Sequence, residues 1–189
     1  MADRSVPQQA RAAKTRAALL GAAATIVRRD GVQAMTLARV AEEAGVSKGG
    51  LLHHFGSKED LVTGLLEQTL ADAASGLDEL TQGDGRGAFA RAYLEYVRRP
   101  DEHQADAATA VFAAAAAGDG ELGPAAEVFD SWQRRLMNDD GLDPALGLLA
   151  RIVGDGLWLI DLFGLARPSA DDRAAVIDLV TGLLDDPVQ

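Results

Sequence analysis

The segment that decides the reading is TLARVAEEAGVSKGGLLHHFGSKEDL, Thr36 to Leu61. Thr36 is a capping residue, and Leu37, Val40, Ala41 and Ala44 follow it at the spacing of one buried helical stripe. Gly45-Val46 breaks that helix, and Ser47, a second capping residue, starts the next one, KGGLLHHF. Ser57 with Asp60 three residues on repeats the start signal before Leu61. Capping, periodicity and turn therefore agree within 26 residues on two short helices joined across a glycine-containing turn. That arrangement is a helix-turn-helix, whose second helix enters the major groove of DNA.

Within the second helix the residues divide by role. Leu51 and Phe55, one turn apart, are expected to anchor it in the core, with Val46 beneath the turn. Lys48 stands in its first turn and can neutralise a phosphate or bond the O6/N7 edge of guanine; a single lysine is a poor bidentate reader, which favours phosphate. Thr36 and Ser47 place hydroxyls and backbone N–H groups at helix starts, and Lys58 places a charge at the start of the following helix. His53 and His54 are neighbours whose side chains point about 100° apart, so one can touch the DNA backbone while the other packs partly inward. Gly49 and Gly50 each cost a helix about 1 kcal/mol relative to alanine. Close approach of backbone to DNA explains them; a frayed first turn is the alternative.

At 189 residues the chain can bury a full core as one domain or two. Hydrophobic residues make up 48% and charged residues 25%, which suits a folded, water-facing protein. No apolar run approaches the roughly 18 residues of a membrane span, and MADRSVPQQARAAK lacks the apolar stretch of a secretory signal. The absence of cysteine excludes disulfides and thiolate metal sites, and the expected location is the cytoplasm. The net charge of −11 is unevenly spread. Residues 1–56 hold eight Lys/Arg against four acids, a net +4, which leaves −15 on residues 57–189. A basic head on an acidic carrier is the asymmetry expected when one end meets phosphates.

The pattern predicts an all-α fold of about nine helices. Residues 1–10 read as an arm, and a first helix is expected from Ala12 to Arg29, with Leu19, Leu20, Ala23, Ala24, Ile26 and Val27 buried. A long helix is expected from Lys58 towards Leu80, then a break at TQGDGRG, Thr81 to Gly87. Further helices are expected at Ala88–Arg99, Gln104–Ala117, Pro124–Asp139, Pro144–Leu165 and Ala170–Asp185. The domain division implied is 1–56 for the helix-turn-helix head and 57–189 for a helical body.

Thr36, Leu37, Val40, Ala41, Ala44-Gly45-Val46-Ser47-Lys48-Gly49, Leu51, His53-His54-Phe55 and Ser57-Lys58-Glu59 with Leu61 together resemble the DNA-binding region of TetR-type (tetracycline-repressor-like) bacterial regulators. The resemblance covers roughly Lys14 to Leu66. It implies a homodimer that binds a double-stranded operator and releases it when a small molecule enters the C-terminal domain. Two positions depart from the family pattern. Gly50 stands where a residue with a side chain is common, and Leu52 where tyrosine is usual. A base reader and a phosphate-binding hydroxyl are thereby lost, and Leu52 can contact a thymine methyl instead.

In the body, Phe89, Tyr93, Tyr96, Phe112, Phe129, Trp132, Trp158 and Phe163 recur at helical spacing. They can line an effector pocket, with Asp155 or Arg91 fixing orientation, or they can be core. The candidate effector residues are Phe89, Tyr93, Phe112, Phe129, Trp132, Asp155 and Trp158. The helix from Pro144 is apolar on two sides: Leu146, Leu149, Val153, Leu157 and Ile160 line one, Leu148, Ile152, Leu159 and Phe163 the other. The last helix adds Val176, Leu179, Val180, Leu183 and Leu184. One side is expected in the subunit core and the other against an identical partner, as a two-fold four-helix interface. The dimer set is Leu146, Leu149, Val153, Leu157, Ile160, Val176, Leu179, Val180 and Leu183.

Nothing calls for catalysis, a metal or a cofactor. The histidines at 53 and 54 lack the i, i+4 spacing of helical metal ligands, and the pairs Asp139-Asp140, Asp171-Asp172 and Asp185-Asp186 read as solvated. The expectation is a non-enzymatic transcriptional repressor with an unknown small-molecule effector. The alternatives are a helical protein-binding adaptor, or a small-molecule-binding bundle, that has lost DNA binding.

Overall fold

The structure, a computed structural model, describes residues 8–98, 108, 111–112, 114–115, 118 and 120–185. Eight α-helices stand among them: α1 Gln8–Asp30, α2 Leu37–Glu43, α3 Lys48–His54, α4 Lys58–Leu80, α5 Ala88–Arg98, α6 Gly123–Arg134, α7 Pro144–Leu162 and α8 Ala170–Asp185. A 3-10 turn at Val32–Ala34 follows α1, and a π-helical turn at Arg135–Asp139 follows α6. No strand occurs among the described residues, as the all-α expectation requires. Most of the helix expected at 104–117 lies outside them, although Ala108, Val111, Phe112 and Ala114 are helical.

Besides α6, which gives way at Arg135–Asp139 to the π-helical turn within its expected span, two boundaries differ from expectation, each for a local reason. α1 begins at Gln8, so residues 8–10 belong to a helix and not to an arm. Gln-Gln-Ala-Arg are good helix formers, and Pro7 in the sequence is a residue tolerated at helix starts. α7 stops at Leu162, three residues early. Gly164 has φ +60°, its N–H bonds the Asp161 carbonyl, and the Leu165 N–H bonds the Ile160 carbonyl, which closes the helix with a left-handed C-cap.

The chain forms two compact units: Met1–Gln68 with Ala110–Leu122, and Thr69–Thr109 with Gly123–Gln189. In the first, α1 packs on α2 and α2 on α3. Its buried residues include Leu19, Ile26, Met35, Val40, Leu51, Phe55, Leu61 and Leu66. Gly120 crowds against Val62 and Thr63 of α4, and the Glu121 N–H donates to Thr63 Oγ1 at 3.0 Å, which fastens the end of 110–122 to α4.

In the second unit α5 packs against α7 and α8 around Leu77, Phe89, Leu94, Leu136, Ala150, Leu157, Ile177 and Leu184. Asp140, read from the sequence as solvated, is buried. Its carboxylate accepts from the N–H groups of Phe89 at 2.9 Å and Ala90 at 2.8 Å. The π-helical turn delivers this carboxylate to the start of α5, where orphan N–H groups and the helix dipole favour it. The break at Thr81–Gly87 is tied down at its end: the Gly87 N–H bonds the Asp140 carbonyl at 2.7 Å, and Arg86 Nη1 bonds the Leu184 carbonyl at 2.9 Å.

The two sides of α7 are occupied in the reverse of the expected order. Its buried residues are Gly147, Ala150, Gly154, Leu157, Asp161 and Leu162. Leu157 and Val180, expected at a partner, lie in the subunit's own core, and Leu146, Leu149 and Val153 pack against that core. Leu148, Ile152, Leu159 and Phe163 are exposed instead, together with Val176, Leu179 and Leu183 of α8. Small residues let neighbouring elements press close to α7: Tyr93 Cε1 lies 2.6 Å from where a Gly154 Cβ would stand. The side that turns inward is the one on which Gly147, Ala150 and Gly154 interrupt the large apolar residues and allow close packing.

Candidate nucleic-acid interface and effector region

The helix-turn-helix is built by its caps. Thr36 Oγ1 accepts from the Arg39 N–H at 3.3 Å and Ser47 Oγ from the Gly50 N–H at 3.1 Å. Gly45 has φ +64°; its N–H bonds the Glu42 carbonyl and the Val46 N–H bonds the Ala41 carbonyl, so α2 ends in a Schellman motif. At the start of α4, Ser57 Oγ accepts from the Asp60 N–H, and the Asp60 carboxylate accepts from the N–H groups of Gly56 and Ser57. This is a reciprocal capping box with aspartate in the usual glutamate position. Three caps fix both ends of the turn and the exit from α3.

α3 then sorts its residues. Leu51 and Phe55 are buried. Lys48, Gly49, Leu52 and His53 are exposed, and at i, i+1, i+4 and i+5 they form one continuous outward face. Gly50 and His54 sit on the flanks, half-buried. A Cβ at Gly50 would lie 2.9 Å from Val46 Cγ1 and 3.3 Å from Ser47 Oγ, whereas one at Gly49 would meet nothing within 4 Å. The two glycines therefore have different causes. Gly50 answers to crowding beneath the turn, and only Gly49 has a backbone open to a ligand.

His54 lines a recess with Arg16, Phe55, Glu59, Glu67 and Glu121. Arg16 stacks over the Phe55 ring at 5.2 Å and pairs with Glu67 at 3.0 Å, which joins α1 and α4 around the end of α3. Arg29 and Arg39 converge on Asp30, and Arg29 also lies 3.6 Å from Glu43. Hydrogen bonds from Arg29 and then Arg39 hold the Asp30 carboxyl below the usual carboxylate range. Three of the eight basic residues of the head thus brace its helices, while Lys48 is exposed on the outward face.

The aromatic candidates of the second unit pack on one another. Ring centroids are 5.2 Å apart for Phe129–Trp132, 5.9 Å for Tyr93–Trp132 and Phe129–Trp158, and 6.2 Å for Phe89–Tyr93. Inside this cluster the Tyr93 hydroxyl donates to Asp155 Oδ1. Burial and the neighbouring carboxylate charge push the Tyr93 phenol well above its ordinary range. Arg151 Nε donates to Asp155 Oδ2 at 3.1 Å, and Arg151 Nη1 donates to the Phe129 carbonyl at 3.3 Å and to Gln133 Oε1. Arg151 and Gln133 were absent from the expected set. The i, i+4 pairing of Arg151 with Asp155 on an otherwise apolar helix is a sequence signal for Arg151, whereas Gln133, 18 positions away on α6, has none. Phe112 belongs to the first unit, unlike the other six candidates.

Comparison with known proteins agrees with this geometry. The HTH-type transcriptional repressor KstR2 of Rhodococcus jostii (strain RHA1) is 41% identical over 71 residues, 33% of this chain and 35% of that protein. The match thus spans about a third of that relative's length. A crystal structure of a transcriptional regulator from Rhodococcus sp. Rha1 covers 89% of this chain and 95% of its own at 19% identity, with a TM-score of 0.70. The multidrug binding protein EbrR complexed with ethidium covers 92% of this chain and 99% of its own at 24% identity, with a TM-score of 0.64. At these identities the structures share the fold. Residues 19–65 match the bacterial regulatory proteins of the tetR family, and residues 87–185 match the tetracyclin repressor-like C-terminal domain. With both matches on one all-helical chain, the protein belongs to the tetR family of bacterial transcriptional regulators, which carry a helix-turn-helix.

Proposed function

We propose that this chain is a homodimeric repressor that holds a two-fold symmetric DNA operator through α3 and releases it when a small molecule enters the second unit. The observation that carries the reading is the outward face of α3, Lys48, Gly49, Leu52 and His53, exposed on a head whose buried side is complete. Lys48 neutralises phosphate, and the exposed hydroxyls of Ser47 at the start of α3 and Thr36 at the start of α2 can each still donate to a phosphate oxygen.

Dimerisation is supported by the uncovered apolar face of Leu148, Ile152, Leu159 and Phe163 on α7 with Val176, Leu179 and Leu183 on α8. Large exposed apolar patches mark interfaces, and helices from two copies bury such a face as a four-helix bundle. Two reading helices held about 34 Å apart enter successive turns of the major groove. The effector region we favour is the aromatic cluster around Tyr93, Phe129, Trp132 and Trp158, with Asp155 and Arg151 as its polar pair. α4 belongs to the first unit up to Gln68 and to the second from Thr69, so it is the continuous element through which occupancy changes operator affinity. A coupling of about 1–3 kcal/mol corresponds to roughly 5–150-fold release.

Selection of bound fragments from a pool of random duplexes tests the reading. The expected result is a two-fold symmetric enriched sequence. Recovery of no duplex in dilute salt would overturn it.

A further inference from the structure

The centre of the outward face of α3, between Lys48 and His53, is apolar and notched. Leu52 is 44% exposed there, while its neighbours Leu51 and Phe55 are 0% and 3% exposed and already complete the core side of the helix. Gly49, three residues before Leu52 on the same face, has open space where a Cβ would stand. Lys48 and His53 flank the pair. We infer that Leu52 reads the 5-methyl group of a thymine in each half-site, and that Gly49 is the positioning residue that lets α3 approach closely enough for it to do so. The inference rests on the DNA-binding reading above and adds the base and the atom.

The chemistry of the groove selects the occupant. Among the base edges in the major groove, thymine alone presents an apolar group; the others present nitrogen and oxygen donors and acceptors. An isobutyl side chain makes no hydrogen bond. Set against guanine, cytosine or adenine it strips water from polar atoms and returns nothing, so the wrong base is penalised as well as the right one favoured. Leucine is also short. To reach a methyl group, the helix axis must come closer than a long polar side chain would need, and a Cβ at position 49, on the same face beside Leu52, would stand in that approach. Gly49 removes that atom. Gly50 takes no part, because Val46 and Ser47 account for its missing side chain.

The experiment uses the full chain and the operator recovered from the random-duplex pool. Each thymine is replaced singly by uracil, which deletes only the methyl group, and affinity is measured for wild type, Leu52→Ala and Gly49→Ala. For wild type, uracil at that thymine in one half-site is expected to weaken binding about fourfold, and about 15-fold when both half-sites carry it, the worth of one buried methyl group per contact. Leu52→Ala is expected to lose a similar factor on the unmodified operator and to become indifferent to uracil at that position. Gly49→Ala is expected to lose the same uracil sensitivity with its urea-unfolding midpoint unchanged or raised, which a merely structural glycine would not do. A flat uracil scan for wild type, or equal uracil sensitivity in wild type and Leu52→Ala, overturns the assignment while leaving operator binding intact. Failure to bind any duplex removes the DNA-binding reading and the assignment with it.

Discussion

Arg173 Nη2 lies 2.8 Å from each carboxylate oxygen of Asp161, and Arg173 Nη1 donates to the Val97 carbonyl at 2.7 Å, with both charged side chains under a tenth exposed. One guanidinium therefore joins α8 to the end of α7 and the last turn of α5. A buried pair of this kind is a poor source of net stability but a costly thing to break, because the surviving charge is left without its partner. Arg173→Met is expected to cost about 3 kcal/mol in urea unfolding, the low end of the range, since Arg167 lies 3.8 Å from Asp161 and compensates in part. Asp161→Leu combined with Arg173→Met is expected to recover most of that loss. If the double variant is no more stable than the single one, the pair is not the cause.

The α7–α8 tie shows where sequence reading succeeds and where it stops. The helix-turn-helix was legible because its determinants are local: Thr36, Ser47 and the Ser57–Asp60 box act within three residues of themselves. The occupied side of α7 was not. Both sides carry large apolar residues, and the side that turns inward does so through Gly147, Ala150 and Gly154, which a search for bulky side chains passes over. Asp140 was missed for a related reason: its partners, Phe89 and Ala90, are about 50 positions away, and sequence spacing carries no trace of them. Of the candidate site, the face of α3 was readable from helical geometry. The separate causes of Gly49 and Gly50 needed the position of Val46.

Those two glycines give a paired prediction on stability alone. Gly49→Ala adds a helix-favouring residue in open space and is expected to raise stability by up to about 1 kcal/mol. Gly50→Ala gains the same propensity but drives a Cβ against the branched, stiff Val46 side chain, so its gain is expected to be cancelled or reversed. Urea unfolding of the two variants side by side checks this. Equal gains in both would mean that Val46 yields freely.

Asp30 supplies a pH dependence with a definite sign. Its folded-state carboxyl titrates below the unfolded value of about 3.9, because Arg29 and Arg39 hold the charged form. The stabilisation it contributes is present above roughly pH 4 and is lost as pH falls through the lower folded value. Asp30→Asn is therefore expected to lower the thermal midpoint at neutral pH and to converge with wild type in acid. Parallel curves for the two proteins down to the most acid point would exclude the contribution.

The exposed apolar face of α7 and α8, proposed as the dimer interface, and the core face of α7 make opposite predictions for the same change. Ile152→Glu and Leu179→Glu place charge on side chains that are 59% and 67% exposed, and each is expected to give a folded monomer with reduced operator affinity. Leu157→Glu buries a charge in the subunit core and is expected to unfold the second unit. Sedimentation velocity and circular dichroism separate the outcomes. Dimers that persist in both surface variants would move the interface elsewhere.

Lys48 tests the electrostatic part of operator binding without touching the fold. Its side chain is exposed and lies outside every buried cluster of the head, so Lys48→Ala is expected to leave the unfolding curve unchanged. A lysine that neutralises one phosphate per half-site releases counterions on binding, and its removal reduces the slope of log affinity against log salt by about 0.9 per contact, or about 1.8 for a symmetric dimer. A phosphate contact also weakens all duplexes alike, whereas a base contact would relax preference at one position. Affinities measured across a salt series on the selected operator and on a scrambled duplex distinguish the two. An unchanged slope with altered base preference would assign Lys48 to the guanine edge instead.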